Sequence, residues 1–542
     1  MDEGIRLLLP PELGELARSL AEQCGSTSPV TLMEATADMQ FADRDVLLLA
    51  PGPPRRGSQA PDGELGAFVT KLRQAGLRRL LLLSSAQVYG ACHRDVGMAD
   101  EQQATSAASG NALANHWRGV ESAVKEAFGQ DGLVILRPAA WDRERDPVLR
   151  ILRRRVAFRA LGFDPCVQVS AVADLAAAIL KVAATDAGGV FNVAPASPAT
   201  YRTIRRAARA VHFPVWQPLR RLLRWLPARL GWCEDGSAGE FLRHNATVSA
   251  SRLREAFGLG PGLDTMAALG FAPHQCDPYG MDPDFIHRRK RPYLEFLHSK
   301  YWRTDVVGLE SFPRHGGAIL VAIHRGFMPL DGVMLAHILA SRVGRIPRFL
   351  IHPALVKMPL IAPTMQRLGG VIASARMIDD VLQDDEVLGF FPEGILGAFT
   401  FYDKAHEVGR FVSDEFVRAA LRNRVPIVPC VTLGSAEIFP IFGRIKWRWF
   451  KRWTEWPCLP ITPTFPFLPV PLPSKWHTHF LPPIHIEERY PAEAADDPQT
   501  VREISQEVRT LLQAQLSDMR ARRPHIFFGS LRQPDVPVAI KQ

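Results

Sequence analysis

The chain has 542 residues, of which 47% are hydrophobic and 22% are charged. This length exceeds what one ordinary hydrophobic core supports, so we expect two or three domains, and the composition excludes a low-complexity or disordered chain. The formal net charge of +9 favours an anionic partner, such as a nucleic acid, an anionic membrane surface or a phosphorylated substrate. No nucleic-acid recognition motif is present, so nucleic acid is not predicted as a partner.

The cysteines and the apolar runs indicate the cellular setting. Seven scattered cysteines without Cys-x-x-Cys spacing indicate neither a zinc site nor a disulfide framework, and a reducing, cytosolic setting follows. The N-terminal residues lack the basic-then-apolar order of a signal peptide. No apolar run reaches the roughly 18 residues of a spanning helix, so a lipid substrate would require the protein to lie on the membrane rather than cross it.

The first half of the chain alternates short apolar runs with helical patterns. The apolar runs at 5–9, 45–50, 77–83 and 132–136 are predicted strands, and the amphipathic segments 13–23 and 64–75 are predicted helices. Alternation of this kind predicts a parallel sheet covered on both faces. We therefore predict an α/β chain whose N-terminal domain, residues 1–275, is built on a Rossmann-like parallel sheet.

Five ordered segments of this half match the pattern of a known family. They are Ser84-Ser85-Ala-Gln-Val88-Tyr89-Gly90, Leu136-Arg137-Pro138, Val172-Ala-Asp174-Leu175, Phe191-Asn192-Val193-Ala194 and Ser251-Arg252-Leu-Arg-Glu-Ala-Phe257-Gly258. Together they resemble the extended short-chain dehydrogenase/reductase family of the NAD-dependent epimerase/dehydratase type. The resemblance implies a cofactor NAD(P), with Gly14 and Ser85 at the corresponding cofactor positions.

The catalytic parts of that family are missing. Its Gly-x-x-Gly-x-x-Gly fingerprint and its Tyr-x-x-x-Lys pair fall on Leu8, Pro11 and Gly14, and on Leu113 and Trp117. Proline removes an N–H donor where a pyrophosphate needs one, and no proton donor is left for carbonyl reduction. We therefore predict a degenerate, non-catalytic domain, in which Ser85 anchors a turn. Binding of a nucleotide or a lipid headgroup stays open, because fold alone does not fix function.

A basic segment, a domain boundary and a basic helix follow one another at the end of this half. Residues 218–230 interleave arginines with Leu and Trp, which suits either a membrane interface or a helix with a solvated basic face. Residues 273–284 are rich in Pro, Gly and Asp and indicate a boundary. We predict a linker and a basic helix over 276–300, whose cations face either anionic lipid or solvent, and a second domain over 301–542.

The second half carries four blocks in order after a short lead-in. The lead-in and the blocks are Val307-Gly308-Leu309-Glu310-Ser-Phe-Pro313, His324 with Asp331, Gly369-Gly370-Val-Ile-Ala-Ser-Ala-Arg376, Phe391-Pro392-Glu393-Gly394 and Val425-Pro426-Ile427-Val428-Pro429-Cys-Val431. This half resembles the phospholipid/glycerol acyltransferase family, to which lysophosphatidic acid acyltransferases belong. The resemblance implies an α/β acyltransferase domain.

The same resemblance implies a role for each block. Neutral imidazole of His324 would deprotonate a hydroxyl near pH 7, and the Asp331 carboxylate would fix its tautomer. Arg376 would bind an acceptor phosphate. Residues Phe391, Pro392, Glu393 and Gly394 would position the acceptor. His324 and Asp331 are seven residues apart instead of the common five, and Ile395-Leu396 replaces the family's Thr-Arg.

Two further cations are candidate ligands. Lys404 and Arg410 would supply the positive charge that Ile395-Leu396 lacks, or are ordinary surface charges. Residues 439–456 place basic side chains between tryptophans, which fits either the lipid–water boundary or an aromatic edge of the core.

The predicted function is that of an O-acyltransferase of phospholipid metabolism. It would move a fatty acyl group from acyl-CoA or acyl-carrier protein to a lysophospholipid or glycerolipid hydroxyl, with no metal and no cofactor. The expected partners are the acyl donor and membrane surface lipids, at the cytoplasmic, inner face of the cell membrane. Two alternatives stay open: a bifunctional protein with an active NAD-dependent oxidoreductase or epimerase domain, and a non-catalytic, membrane-docked scaffold that senses lipid or nucleotide.

Overall fold

A computed structural model describes residues 5–24, 29–35, 40–53, 62–91, 97–103, 111–142, 144–215, 236–273, 276–358, 360–372, 375–465, 467 and 470–533. The basic segment 218–230 lies outside these residues. The chain divides into two units, Met1–Met281 and Asp282–Gln542. This boundary falls inside the predicted linker region 276–300, and the predicted basic helix belongs to the second unit.

The first unit has ten strands among its described residues, and six of them form a parallel sheet. Its strands are β1 (Ile5–Leu9), β2 (Val30–Glu34), β3 (Asp45–Leu49), β4 (Arg79–Leu83), β5 (Leu133–Pro138), β6 (Val156–Ala160), β7 (Cys166–Val167), β8 (Gly189–Val193), β9 (Ala199–Thr200) and β10 (Val211–Val215). The main sheet runs in the order β2-β1-β3-β4-β5-β8, while β6 pairs with β10 and β7 with β9. All pairs in the main sheet are parallel, which confirms the predicted Rossmann-like sheet.

Helices cover both faces of this sheet. They are α1 (Glu15–Gln23), α2 (Asp62–Gln74), α3 (Ala112–Phe128), α4 (Pro147–Arg153), α5 (Val172–Ala183), α6 (Tyr201–Ala207), α7 (Gly236–Glu240), α8 (Ser251–Phe257) and α9 (Thr265–Ala268). Successive side chains of a strand point to opposite faces, so the leucine run of β4 serves two cores. Leu80 and Leu82 pack in the core that α2 and α3 cover, and Leu81 and Leu83 pack in the core that α1 and α5 cover.

The second unit has nine strands in the part of the chain that the structure describes, and seven of them form a mixed sheet. Its strands are β11 (Asp305–Val307), β12 (Ala318–Ala322), β13 (Arg348–Ile351), β14 (Val371–Ile372), β15 (Val387–Phe390), β16 (Ile427–Leu433), β17 (Gly443–Ile445), β18 (Leu459–Ile461) and β19 (His477–Phe480). The order is β11-β19-β16-β12-β15-β13-β14, and a separate pair joins β17 to β18. Only β16 and β19 run antiparallel among the neighbours of the large sheet.

The helices of the second unit begin with a segment that continues into the domain. They are α10 (Arg291–Phe296), between the π-helical stretches Phe285–Lys290 and Leu297–Tyr301, then α11 (Leu330–Arg342), α12 (Pro353–Val356), α13 (Ile361–Arg367), α14 (Ala375–Gln383), α15 (Gly394–Ala398), α16 (Glu415–Asn423), α17 (Arg448–Thr454), α18 (Ile486–Arg489) and α19 (Pro498–Arg522). Pro498 is the first residue of α19, and the side chain of Asp497 caps the helix. Among the described helices, none has both the length and the apolar character needed to cross a bilayer.

The middle of the second sheet determines where polar side chains emerge. Strand β12 is buried along its whole length and pairs in parallel with β15 on one side and with β16 on the other. The carboxyl ends of β12 and β15 therefore lie next to each other. In parallel α/β sheets the residues that follow these ends commonly build the ligand site. Here they are His324 and Arg325 after β12, and residues 391–394 after β15.

Candidate active site

A histidine–aspartate pair lies at the carboxyl end of β12. The Nδ1 atom of His324 lies 2.7 Å from Oδ2 of Asp331, which is the second residue of α11 and is completely buried. The backbone N–H of Arg325 donates to the same carboxylate oxygen at 2.9 Å, and the backbone N–H of Gly332 donates to the other at 2.8 Å. These three donors fix the carboxylate before any substrate binds.

A buried ion pair adjoins the loop that carries this histidine. The guanidinium of Arg325 makes a bidentate contact with the carboxylate of Glu393, at 2.7 and 3.1 Å, and both side chains are at most 4% exposed. Arg325 also donates to the backbone carbonyls of His324, Ala405 and Glu407. The pair therefore joins the loop after β12 to the loop after β15 and to the segment around residue 405.

Aromatic rings support the imidazole from the side. The ring of Phe391 lies 4.8 Å from the His324 ring, centroid to centroid, and the ring of Phe349 stacks on Phe391 at 5.3 Å. Phe349 pairs with Gly389 across β13 and β15, so the space above the glycine holds the Phe349 ring. The imidazole is thus held by a hydrogen bond to Asp331 and by a stack that begins inside the sheet.

A cavity of about 400 Å³ opens beside His324. Its wall is mainly apolar and includes Phe327, Val333, Met365, Phe399 and Trp456. Cavities that bind small ligands measure roughly 300–1,000 Å³ and are lined mainly by apolar side chains with a few polar groups. This cavity has the dimensions and the lining of an apolar-ligand site, with the imidazole as one of its polar groups.

The arrangement is suited to proton transfer. The Asp331 carboxylate accepts a hydrogen bond from the Nδ1–H group of His324. In this neutral tautomer the Nε2 atom carries the free lone pair. A buried carboxylate in this position also stabilises the imidazolium that forms when Nε2 takes a proton. The geometry therefore fits a general base that faces an apolar ligand.

The structure brings some of the predicted acceptor residues to this cavity. Phe391, Pro392 and Gly394 line it together with His324. Glu393, predicted to position the acceptor, is 2% exposed, and its two carboxylate oxygens are engaged by Arg325 and by the backbone N–H of Gly409. The position of Glu393 between these partners, away from the cavity wall, fits a role in positioning His324 and its loop rather than the substrate.

Two of the three predicted cationic ligands do not line the cavity. Lys404 and Arg410 are exposed and lie outside its wall, which corresponds to the surface-charge alternative. Arg376 belongs to the first turn of α14, but its side chain lies outside the part of the chain that the structure describes. Of the cavity-lining residues that the structure describes, none is Lys or Arg.

The groove of the first unit is small where the resemblance implies a dinucleotide. The space beside Ser85 measures about 50 Å³, and Trp117 and Trp141 contribute to its wall. Trp117 donates from Nε1 to Oε1 of Gln87, and Nε2 of Gln87 donates to the carboxylate of Asp146. Burial raises the pKa of Asp146 to about 6. Among the described residues, this groove is smaller than the roughly 300 Å³ at which ligand sites begin.

The two predicted cofactor positions have local roles. Gly14 precedes the first turn of α1 with a φ of +50°, a conformation that glycine adopts easily, and it does not line the groove. Ser85 accepts a hydrogen bond from the backbone N–H of Gln87 at 3.2 Å and caps the turn at Ala86–Tyr89. The turn-anchoring role that the sequence predicts for Ser85 is confirmed.

Two residues of the site were missed in the sequence. Arg325 follows the histidine directly, and an arginine at the end of an apolar strand is a signal that a buried carboxylate partner is needed. Phe349 gives no such signal, because an aromatic residue in a predicted strand is ordinary, and only the pairing of β13 with β15 brings it to Phe391.

The acyltransferase family model matches residues 303–433, which include His324, Asp331 and Glu393. An uncharacterized protein of Mycobacterium leprae (strain TN) is 35% identical over 306 residues, a match that covers 54% of this chain and 83% of that protein. An uncharacterized protein of Mycobacterium tuberculosis (strain ATCC 25618 / H37Rv) is 36% identical over 262 residues, covering 47% of this chain and 72% of that protein.

Solved structures are similar to the N-terminal half. They include RMD from Pseudomonas aeruginosa complexed with NADPH, with 16% identity, a TM-score of 0.33 and coverage of 48% of this chain and 95% of that one. Another is the human epimerase family protein SDR39U1 with NADPH, with 16% identity, a TM-score of 0.35 and coverage of 47% and 94%. From the sequence matches, the chain belongs to one family with the mycobacterial proteins, and its residues 303–433 form an acyltransferase domain.

Proposed function

We propose that the protein is an O-acyltransferase that esterifies a lipid hydroxyl from an acyl thioester, with His324 as the general base. The observation that carries this proposal is that an Asp331-held imidazole opens onto an apolar cavity of about 400 Å³. The family match supports acyl transfer in general. The proposal adds the residues, the substrate class and the mechanism.

The proposed reaction needs only one base and a bound thioester. The Nε2 atom of His324 takes the proton of the acceptor hydroxyl while the oxygen attacks the thioester carbonyl. The tetrahedral intermediate then collapses, the carbon–sulfur bond breaks, and the leaving thiolate takes the proton back from the imidazolium. The products are an ester and a free thiol, which would be CoA or the thiol of acyl-carrier protein. Asp331 stabilises the imidazolium between these two steps.

The apolar cavity is proposed to hold a fatty acyl chain. Burial of each CH₂ group contributes roughly 0.8 kcal/mol, so a lining of Phe327, Met365, Phe399 and Trp456 provides binding energy without fixing one chain length. Phe391, Pro392 and Gly394 lie at the histidine side of the same cavity, where the reacting carbonyl would stand.

The acceptor is proposed as a lysophospholipid or glycerolipid hydroxyl. Recognition of an acceptor phosphate would depend on Arg376, since Lys404 and Arg410 lie outside the cavity wall. No metal or redox cofactor takes part in the proposed steps. We do not propose the NAD-dependent alternative, because Leu113 and Trp117 stand where the resemblance places the catalytic Tyr and Lys.

The experiment is a panel assay with the full chain. Radiolabelled acyl-CoA and acyl-carrier protein are offered with lysophosphatidic acid, other lysophospholipids, monoacylglycerol and diacylglycerol. We expect labelled ester in at least one pairing, with release of free thiol in equal amount. A complete lack of transfer across the panel, from protein that unfolds cooperatively, would instead favour the scaffold alternative.

A further inference from the structure

One segment of the second unit exposes apolar and basic side chains together. It comprises β17, α17 and β18, residues 442–461, and we call it the β17–β18 hairpin. The side chains of Phe442, Ile445, Trp447, Trp449 and Ile461 are between 42% and 65% exposed. Large apolar side chains clustered on a surface in this way mark an interaction site.

The pairing of the two strands explains why this face is apolar. Ile445 pairs with Leu459 and Gly443 pairs with Ile461, so these side-chain positions share one face of the hairpin. Arg444 and Pro460 lie on the other face, where the Arg444 guanidinium packs over the ring of Phe401 at 4.9 Å. One face of the hairpin therefore packs on the domain, and the other exposes Ile445 and Ile461.

Helix α17 continues the same division. Phe450 packs against Trp456, with ring centroids 6.0 Å apart, and Thr454 is buried. Trp447 and Trp449, 56% and 61% exposed, lie on the outer side with their rings 5.6 Å apart. The helix thus anchors the hairpin through Phe450 and presents two indoles outward.

The charge of the hairpin is strongly positive. Apart from Arg444, which packs over Phe401, its exposed cations are Lys446, Arg448, Lys451 and Arg452. Its one acidic residue in the sequence, Glu455, forms an ion pair with Lys357 at 2.6 Å. Each basic residue near an anionic bilayer contributes roughly 1 kcal/mol to binding, and tryptophan side chains favour the headgroup region, where the ring contacts both apolar and polar surroundings.

The inner side of the hairpin is continuous with the acyl cavity. Trp456 lines the cavity and packs on Phe327 and Phe399, at 5.7 and 5.5 Å. Phe450 contacts the other side of the same tryptophan. The hairpin therefore contributes Trp456 directly to the wall of the cavity.

We propose that the β17–β18 hairpin is the surface by which this protein docks on an anionic bilayer, with Trp447 and Trp449 inserted at the headgroup level. If the proposed function holds, the position of the hairpin beside the cavity would let a lipid substrate pass between bilayer and cavity. The docking proposal itself does not depend on that function. Exposed indoles interleaved with four cations fit lipid headgroups and acyl chains together, whereas a purely acidic protein partner would not use the indoles.

The test is sedimentation of the full chain with vesicles of phosphatidylcholine, alone or with 30% phosphatidylglycerol. We expect binding to the anionic vesicles, weakened at least about tenfold both by Trp447→Ala/Trp449→Ala and by Lys446→Glu/Lys451→Glu. Matched controls change exposed residues of the first unit: Phe68→Ala/Phe213→Ala for the aromatic pair and Lys71→Glu/Lys181→Glu for the charges. These controls should bind as the wild type does.

Several results would overturn the docking proposal. They are absence of wild-type binding, equal binding by the hairpin variants, equal loss in the controls, and a hairpin variant that changes only self-association. The proposed function fails separately. His324→Ala should still sediment with anionic vesicles, and Trp447→Ala/Trp449→Ala should still transfer acyl groups between short-chain, monomeric substrates.

Discussion

At the residue scale, the site depends on how two carboxylates are used. Asp331 and Glu393 are both buried, but Asp331 faces an imidazole while Glu393 faces a guanidinium. A carboxylate beside a histidine tunes a proton acceptor, whereas a carboxylate beside a buried arginine mainly compensates a charge. The same residue type therefore supports reactivity in one case and architecture in the other, and substitution should separate the two.

The first prediction concerns Asp331→Asn. The amide removes the charge that stabilises the imidazolium and allows the wrong tautomer of His324, so kcat for acyl transfer should fall by roughly 10²- to 10⁴-fold. The KM for the acyl donor should change little, since Asp331 is not exposed to the cavity ligand. Steady-state kinetics on folded protein gives both values, and an unchanged kcat would argue against this role for Asp331.

The second prediction concerns Glu393→Gln. The buried Arg325 would keep its charge but lose its partner, so the free energy of unfolding should fall by about 3–5 kcal/mol in urea titrations. The control is Glu507→Gln, which breaks a pair with Arg489 of similar length at half-exposed positions and should cost less than about 1 kcal/mol. Equal costs for the two variants would show that the buried pair has no special role.

At the element scale, the sheet itself holds the imidazole. Gly389 in β15 lies opposite Phe349 in β13, and a Cβ atom at residue 389 would come within 2.5 Å of the Phe349 ring. Phe349 in turn stacks on Phe391, which packs on His324. One added carbon atom at residue 389 should therefore displace the Phe349 ring and, through Phe391, the His324 imidazole.

The third prediction follows from this chain of contacts. Gly389→Ala should lower the free energy of unfolding by about 1–3 kcal/mol through overpacking, and it should also lower kcat. Adding Phe349→Leu should restore part of the stability, because the leucine vacates the space of the ring, but it should not restore kcat, because Phe391 then lacks its stacking partner. Gly66→Ala in α2 is the control: its Cβ would meet one carbonyl oxygen at 3.9 Å, so it should be neutral or slightly stabilising. Loss of stability without loss of kcat would disprove the coupling.

The elements also show what the sequence could predict. The continuous apolar run of β4 predicts a buried strand, and the amphipathic pattern of residues 13–23 predicts helix α1. Strand β2 was not predicted, since Thr31 and Glu34 interrupt a short edge strand and its pairing with β1 comes from tertiary contact. In the site, the pairing of His324 with Asp331 was anticipated by resemblance, whereas the stack through Phe349 required the strand order.

At the scale of the whole molecule, one chain combines a degenerate Rossmann-like unit with an acyltransferase domain. In the first unit, hydrogen bonds join the buried side chains of Ser84, Glu121, Arg137 and Tyr89. Internal pairing of this kind stabilises a fold. We therefore expect this network to stabilise the core of the first unit.

The fourth prediction concerns nicotinamide cofactors. Because the groove beside Ser85 measures about 50 Å³ and Trp117 contributes to its wall, millimolar NAD(H) or NADP(H) should not raise the Tm of the full chain. The variant Trp117→Ala enlarges the groove and serves as a comparison. A concentration-dependent rise in the wild-type Tm would contradict the fit argument and favour the bifunctional alternative.

The most direct test of the central claim compares acyl transfer by wild type and by His324→Ala, with the best donor and acceptor from the panel. We expect a loss of at least about 10²-fold in kcat for His324→Ala, with the cooperative unfolding transition retained. A variant that transfers acyl groups at the wild-type rate would contradict it, because the proposed reaction has no other base to take the hydroxyl proton.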